Sequence, residues 1–237
     1  MIRLEDFYQI NERGLEILPE RASCFAKKVA GDFNPIHDAD GKKFCVPGDL
    51  LFSLVLHLYG LSQNMEFVFA GMVGAGVALQ FPQTPGDSFA ITDANGKTYL
   101  EVKRSGPIGH DPAVILSMIE NYVAFSGQNF PDVLVPLMAR HKVMINPDRP
   151  LVIYESMSFR FDHLDFSAPK LELTTAELDV KGKRGDIYLH FRILSDGVPV
   201  GTGSKKLVLS GLREYDAEVM ESLTKIYLAK RTAFRSV

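Results

Sequence analysis

The segment 48–63, GDLLFSLVLHLYGLSQ, constrains the fold more than any other part of the chain. It is apolar nearly all round rather than along one stripe, the pattern of a helix buried on most sides. Such a helix needs other elements to cover it, and the remainder of the sequence offers strands. From residue 73 the pattern changes to a Val/Ala/Leu/Phe run, a Pro85-Gly86-Asp87 turn, a strand at 89–92, the hairpin signal Asn95-Gly96 and a strand at 98–103. Residues 151–210 are strand-rich in the same way, with strands at 171–180, 187–194 and 198–209 between Lys/Gly and Asp-Gly turns. The glycine-interrupted apolar run 67–79 reads as buried strand, since it falls well short of the roughly 20 residues a membrane-spanning helix needs.

The order of elements repeats. Residues 19–30 open with Pro19 at a first helical position and place Ala22, Phe25, Ala26 and Val29 on one face, predicting an amphipathic helix that ends in a polar turn at 31–43. After Pro107-Ile108-Gly109 the sequence restarts: Asp111 as N-cap and Pro112 at N1 launch a helix over 113–125, followed by a second glycine-led turn. Val29-Ala30-Gly31-Asp32-Phe33-Asn34-Pro35 is echoed by Val123-Ala124-Phe125-Ser126-Gly127-Gln128-Asn129-Phe130-Pro131, with Gln128 standing where the first half has Asp32. The chain is therefore divided into a first half over 1–106, a related second half over 107–212, and a tail over 213–237. In the tail, Val219, Leu223, Ile226 and Leu228 predict a C-terminal helix docked by one face.

Composition removes several function classes. The 237 residues are 46% hydrophobic and carry a net charge of -3, so no basic excess exists to neutralise a nucleic-acid backbone. Cys24 and Cys45 form no CxxC or Cys/His cluster, and the six histidines show no ligand spacing, so no metal is expected. The first twelve residues lack the basic and apolar regions of a signal peptide. A cytoplasmic protein without a membrane span is expected.

The stretch Ala30-Gly31-Asp32-Phe33-Asn34-Pro35-Ile36-His37 resembles the SGDxNPxH signature of the MaoC-like family of (R)-specific enoyl-CoA hydratases and dehydratases. The resemblance continues through Pro47-Gly48-Asp49-Leu50-Leu51-Phe52-Ser53, Phe81-Pro82, Pro85-Gly86-Asp87 and the strands from Val152 onward, to about Leu212. It implies an α+β double hotdog fold, in which two antiparallel sheets each wrap a helix, plus the C-terminal helix. It also implies a lyase that hydrates a trans-2-enoyl thioester of CoA or an acyl carrier, or runs the reverse dehydration, without any cofactor. Asp32 and His37 match the family's catalytic pair, Gly48 its oxyanion donor, and Ser53 a serine near the catalytic carboxylate. Asn34 is grouped with the substrate-binding set but is expected chiefly to fix the turn. Two departures bear on the acyl pocket: only eleven positions separate His37 from Gly48, shortening the segment that overhangs the pocket, and Pro47 replaces the family's histidine.

The chemistry of these residues can also be read directly. Hydrating a thioester-conjugated double bond needs a base for water, an acid for the α-carbon and donors for the enolate oxygen. Asp32 and His37 provide two titratable groups on a turn stiffened by Gly31 and Pro35, and Gly48 starts a helix whose free amides can face an oxygen. A Gly-Asp-x-Asn-Pro turn also has a purely structural reading, because Asp and Asn bond their own backbone. Two other activities stay open: non-catalytic binding of an acyl thioester or other small ligand, and hydrolysis of the thioester, since the fold alone does not choose. Asp49, Ser53 and His57 lie up one helical stripe as a polar seam rather than a triad, and Lys103-Arg104 and Lys205-Lys206, candidates for a CoA phosphate contact, read mainly as solvated charge. A homodimer is compatible with the sequence.

Overall fold

The computed structural model describes residues 2–41 and 43–235; Met1, Ser236, Val237 and Lys42, the last within the expected polar turn, lie outside the described residues. In chain order the elements are β1 (Gln9–Asn11), β2 (Gly14–Glu16), α1 (Pro19–Phe25), α2 (Gly48–Tyr59), β3 (Leu61–Phe69), β4 (Ala78–Gln80), β5 (Ser88–Asp93), β6 (Thr98–Gly109), α3 (Pro112–Gly127), α4 (Val135–Arg140), β7 (Val143–Met144), β8 (Val152–Phe161), β9 (Lys170–Lys181), β10 (Arg184–Ser195), β11 (Val198–Ser210), β12 (Arg213–Glu214) and α5 (Ala217–Arg235). The protein is thus mixed α+β, with a large antiparallel sheet and a C-terminal helix.

Ten strands form one antiparallel sheet in the order β1-β2-β4-β5-β6-β3-β8-β11-β10-β9, and β12 pairs with β7 separately. Each half follows its helices with four long or short strands laid out as first, fourth, third, second: β3-β6-β5-β4 on one side and β8-β11-β10-β9 on the other. The two sets meet where β3 pairs antiparallel with β8, Met65 opposite Phe159 and Phe67 opposite Met157.

Helix α2 packs on this sheet, and its Leu50, Phe52, Leu54, Val55 and Leu56 are fully buried. Phe52 touches Phe67 of β3 and Phe159 of β8, and leans on Tyr122 of α3, so both halves cover the same helix. Burying a side chain of this size contributes about 1.5–3 kcal/mol. A second apolar cluster lies between α4 (Leu137, Met138), the β9–β11 strands (Leu178, Ile187, Leu189, Leu207, Leu209) and Met220 of α5.

Several boundaries differ from the sequence expectation. The buried helix stops at Tyr59, not residue 63, because Gly60 adopts φ +85° and passes so close to Gly109 that a Cβ would lie 2.7 Å from its carbonyl oxygen. Residues 61–69 then form β3, and the run expected as one buried strand at 67–79 holds only the end of β3 and the start of β4. The expected boundary between 106 and 107 falls inside β6, which continues to Gly109. Gly106 at φ +80° receives the Gln63 side chain across an irregularity in the β3–β6 ladder, and β5 pairs with β6 only up to Lys103, so Pro107 stands on a free strand edge where its missing N–H is harmless. The short strands β1 and β2, and the helical stretch Phe130–Leu134 leading into α4, carried no periodic signal long enough to be read.

Candidate active site

Ala30 and residues 32–37 line a cavity of about 460 Å³ with mostly apolar walls, among them Leu51, Phe69, Val73 and Ile145. The chain reaches it from α1 through a π-helical turn, Ala26–Ala30, closed by Gly31 in the left-handed region at φ +67°. Asp32 then accepts the Asn34 amide on Oδ1 at 2.9 Å, and Asn34 Oδ1 accepts the Ile36 amide at 3.2 Å, two successive side-chain turns that fix the path of Pro35–His37. His37 Nδ1 lies 2.7 Å from the Cys45 carbonyl oxygen. A carbonyl only accepts, so Nδ1 carries the hydrogen and Nε2 faces Asp32 Oδ2 at 3.6 Å. That separation exceeds a direct hydrogen bond and is short enough for a single water to bridge the two atoms. The structure therefore brings Asp32 and His37 together on the cavity wall; the clamp supplied by Cys45 carried no sequence signal because it is a backbone oxygen.

Gly48 opens α2 at the same cavity. A Cβ there would sit 3.0 Å from Phe69 and 3.1 Å from Tyr154, whose rings are 4.4 Å apart, so glycine lets the helix end press onto this ring pair. Pro47 provides no side-chain cap; its carbonyl takes the Leu50 amide at 3.0 Å, while Gly48 and Asp49, the first two residues of α2, line the cavity. Asn34 lines the cavity, but its side-chain oxygen is taken by the turn. Ser53 is corrected: its hydroxyl donates back to the Asp49 carbonyl at 2.6 Å, the residue is fully buried, and it is not among the residues of the cavity wall. His57, at the far end of α2, faces Glu5 at 3.3 Å, in keeping with a polar seam.

A buried polar group beside the Asp32/His37 pair was not read from the sequence as a unit. Asp49 Oδ2 accepts the Ser126 hydroxyl at 2.6 Å, and Lys205 Nζ donates to the same hydroxyl oxygen while standing 4.0 Å over the Tyr154 ring. The Tyr154 and Tyr122 hydroxyls bond each other, and Tyr154 also reaches Met157. Burial pushes the Asp49 carboxyl above its usual range against the opposing pull of Lys205 and Ser126, and burial lowers the Lys205 ammonium against Asp49 and Asp32. Lys205 is thus no solvated charge; it is 4% exposed. Strand alternation held the clue, since Lys205 shares its face of β11 with buried Leu207 and Leu209. The other basic candidates are surface ties: Lys206 pairs with Glu155 and Asp186, and Arg104 donates to the carbonyls of Tyr59, Pro85 and Gly86.

The two echoing turns meet in space. A Cβ on Gly127 would fall 2.0 Å from the Ala30 carbonyl oxygen and 3.2 Å from the Asp32 nitrogen, so the close approach depends on glycine. Gln128 points to solvent, whereas Asn129 is buried on the cavity wall. Helix α5 forms the roof: Leu223, Ile226, Tyr227 and Lys230 line the cavity. The Tyr227 hydroxyl accepts the Phe33 amide at 3.2 Å and lies 3.2 Å from the Gly127 oxygen and 3.4 Å from the Gly31 oxygen. Lys230 reaches Asp38, which also pairs with Lys27 at 2.8 Å.

Among the described residues no group of three or more His, Cys, Asp or Glu gathers as a metal site, and no helix is long and apolar enough to cross a membrane. Among solved structures the chain is similar to a putative thioesterase II from Thermobifida fusca YX, at 10% identity and TM-score 0.43, covering 89% of this chain and 98% of that one. It is also similar to an acyl-CoA thioesterase II, TesB2, from Mycobacterium marinum, at 11% identity and TM-score 0.40, covering 72% and 90%. A third is a conserved protein of unknown function with a hot dog fold from Alicyclobacillus acidocaldarius, at 11% identity and TM-score 0.39, covering 89% and 98%. No curated protein matches the sequence. Residues 2–218 match the model of the family described as a protein of unknown function, DUF3581, and the chain belongs to that family.

Proposed function

We propose that the chain is a double hotdog enzyme that hydrolyses an acyl thioester at the Asp32/His37 pair. The fold part of this reading is supported by the shared strand order of the two halves and by buried α2 packing on strands of both. The observation that carries the chemistry is His37 Nε2 facing Asp32 Oδ2 at 3.6 Å on the wall of an apolar cavity. His37, oriented by the Cys45 carbonyl, and Asp32 hold one water and take its proton. The Gly48 amide at the start of α2 polarises the thioester oxygen as negative charge develops there. The acyl group lies in the cavity, and its carrier, CoA or an acyl-carrier protein, lies outside. The reaction as read needs no metal or redox cofactor.

Hydrolysis asks less of this site than hydration does. A thiolate leaving group has a pKa near that of cysteine, about 8.5, and departs with little help, whereas hydration must also deliver a proton to carbon. Asp32 and His37, at 3.6 Å, act on one shared water as a single acid–base unit. Hydration of a trans-2-enoyl thioester is kept as a second reading because the Asp32, Asn34, Pro35 and His37 spacing resembles the MaoC-like signature.

The two are separated by incubating the protein with saturated acyl-CoAs of graded length while following thiol release, and with crotonyl-CoA while following loss of its conjugated absorbance. Thiol release that falls roughly 10²- to 10⁴-fold in D32N and H37A supports hydrolysis. Absorbance loss without thiol release gives the site to hydration. Saturable binding of acyl-CoA with neither reaction leaves a binding protein.

A further inference from the structure

The Asp49, Ser126 and Lys205 group faces the same cavity as Asp32 and His37 but has no part in activating water. Its members come from α2, α3 and β11, and each is more than nine-tenths buried. A buried charged pair of this kind is seldom the most stable filling for an apolar wall, since hydrophobic residues of similar volume do as well or better. Asp49 Oδ1, moreover, has no hydrogen-bond partner among the described residues, and neither has Asn129 Nδ2 on the same wall. Buried polar atoms left in this state call for a reason in ligand or chemistry.

We propose that Ser126 is a nucleophile that takes the acyl group from the thioester, with Asp49 as its base and Lys205 as the charge that holds the pair in place. Three features of geometry support it. Ser126 Oγ already donates to a carboxylate oxygen at 2.6 Å, the contact an activated hydroxyl requires. That carboxylate belongs to the second residue of α2, so the nucleophile sits at the helix end whose amides receive the oxyanion. The next residue, Gly127, packs against Ala30 and Asp32, which brings the serine beside the water-activating turn.

The steps balance. Ser126 Oγ bonds to the thioester carbonyl carbon and its proton passes to Asp49; the C–S bond breaks and the thiolate takes that proton, leaving a serine ester and a free thiol. Water, losing its proton to the Asp32/His37 pair, attacks the ester carbon; the C–O bond to Ser126 breaks and the proton returns to Oγ, releasing the acid.

This inference rests on the hydrolysis reading, and the test separates the two. Wild type, D32N, S126A, S126C and the D32N/S126A double variant are mixed with butyryl-CoA and octanoyl-CoA, quenched in acid within seconds, weighed intact and mapped by peptide mass. D32N, able to acylate but slow to release, should gain one acyl group per chain on Ser126, and the double variant none. S126A should release thiol roughly 10²- to 10⁴-fold more slowly than wild type. S126C, which retains a nucleophile at the same place, should be acylated on its new thiol and so decides the matter even where S126A folds poorly. Thiol release by wild type with no adduct in D32N, an adduct at another residue, or S126A turning over within threefold of wild type overturns the serine step alone. Wild type that releases no thiol from any saturated acyl-CoA overturns the hydrolysis reading and this step with it.

Discussion

Asp49 shows how one side chain ties stability to pH in this fold. Burial raises its pKa, with Lys205 and Ser126 opposing, so the folded state binds a proton that the unfolded chain gives up near pH 4. The sign follows: stability falls as pH rises from about 4 through the folded pKa and is level above it. Replacing Asp49 by Asn removes this slope, so wild type and D49N should have similar urea midpoints near pH 4 and diverge, with wild type the lower, as pH increases. A wild-type midpoint that rises relative to D49N over that window would mean Lys205 wins over burial. Gly127 gives a second prediction at the same scale. Alanine there drives a Cβ into the Ala30 carbonyl, so G127A should lose about 1–3 kcal/mol in urea unfolding and slow any thioester turnover through the displaced Asp32. Residues of this kind were only partly legible. Asp32, Asn34, Pro35 and His37 announce themselves because their chemistry is local, each bonding within a few residues. Asp49, Ser126 and Lys205 come from places 77 and 79 residues apart, and only packing brings them together.

Among the elements, α5 illustrates what periodicity can and cannot say. The spacing of Val219, Leu223 and Ile226 predicted a helix with one docked face, and a helix over Ala217–Arg235 is present. Its destination was hidden: the hydroxyl of Tyr227 stands against both echoing turns, and Lys230 pairs with Asp38 over the cavity. Y227F keeps the ring contacts with Phe33 and Phe130 and removes the one hydroxyl, so it should cost about 1–3 kcal/mol and speed amide exchange at Phe33. Unchanged exchange there would show that the rings alone seat the helix. Burial works against the Asp38 charge, but the hydrogen bonds and charges of Lys27 and Lys230 outweigh it and hold its pKa below the usual carboxylate value. Those ties are therefore complete above about pH 4 and lost as pH falls through the lowered pKa. Peptide-level exchange across 217–235, compared at pH 6 and pH 3, reads that loosening. The buried helix α2 was legible for a different reason, being apolar on every side, whereas its end at Gly60 was not, because a glycine's positive φ is invisible without the neighbour it must avoid.

At the scale of the whole molecule, the helix-then-sheet order visible in the sequence corresponds to two sets of four strands in one sheet, but the larger core is shared between the halves. Phe52 is covered by strands from both, and the apolar cluster around α2 takes Met118, Ile119 and Tyr122 from α3 and Phe159 and Phe161 from β8. Residues 1–106 expressed alone would lose those partners and the end of β6, residues 107–109. They should remain unfolded or aggregate, and the intact chain should unfold in one transition seen alike by far-ultraviolet dichroism and tyrosine fluorescence. Two separated transitions would argue that the second cluster, around α4, folds by itself.

The meeting of β3 with β8 also bears on how such a site can change over time. When two copies of one small unit pair, every substitution appears twice, once in each cleft, and a residue that suits one must be endured by the other. Here the two units are consecutive stretches of one polypeptide, so each position varies independently. Ala30 in one turn stands where the other has Ser126, and Asp32 where it has Gln128, and the two turns touch where Gly127 packs against Ala30. Asp32 and His37 from the first half and Ser126 and Lys205 from the second line one cavity, so a substitution at one set need not be repeated at the other.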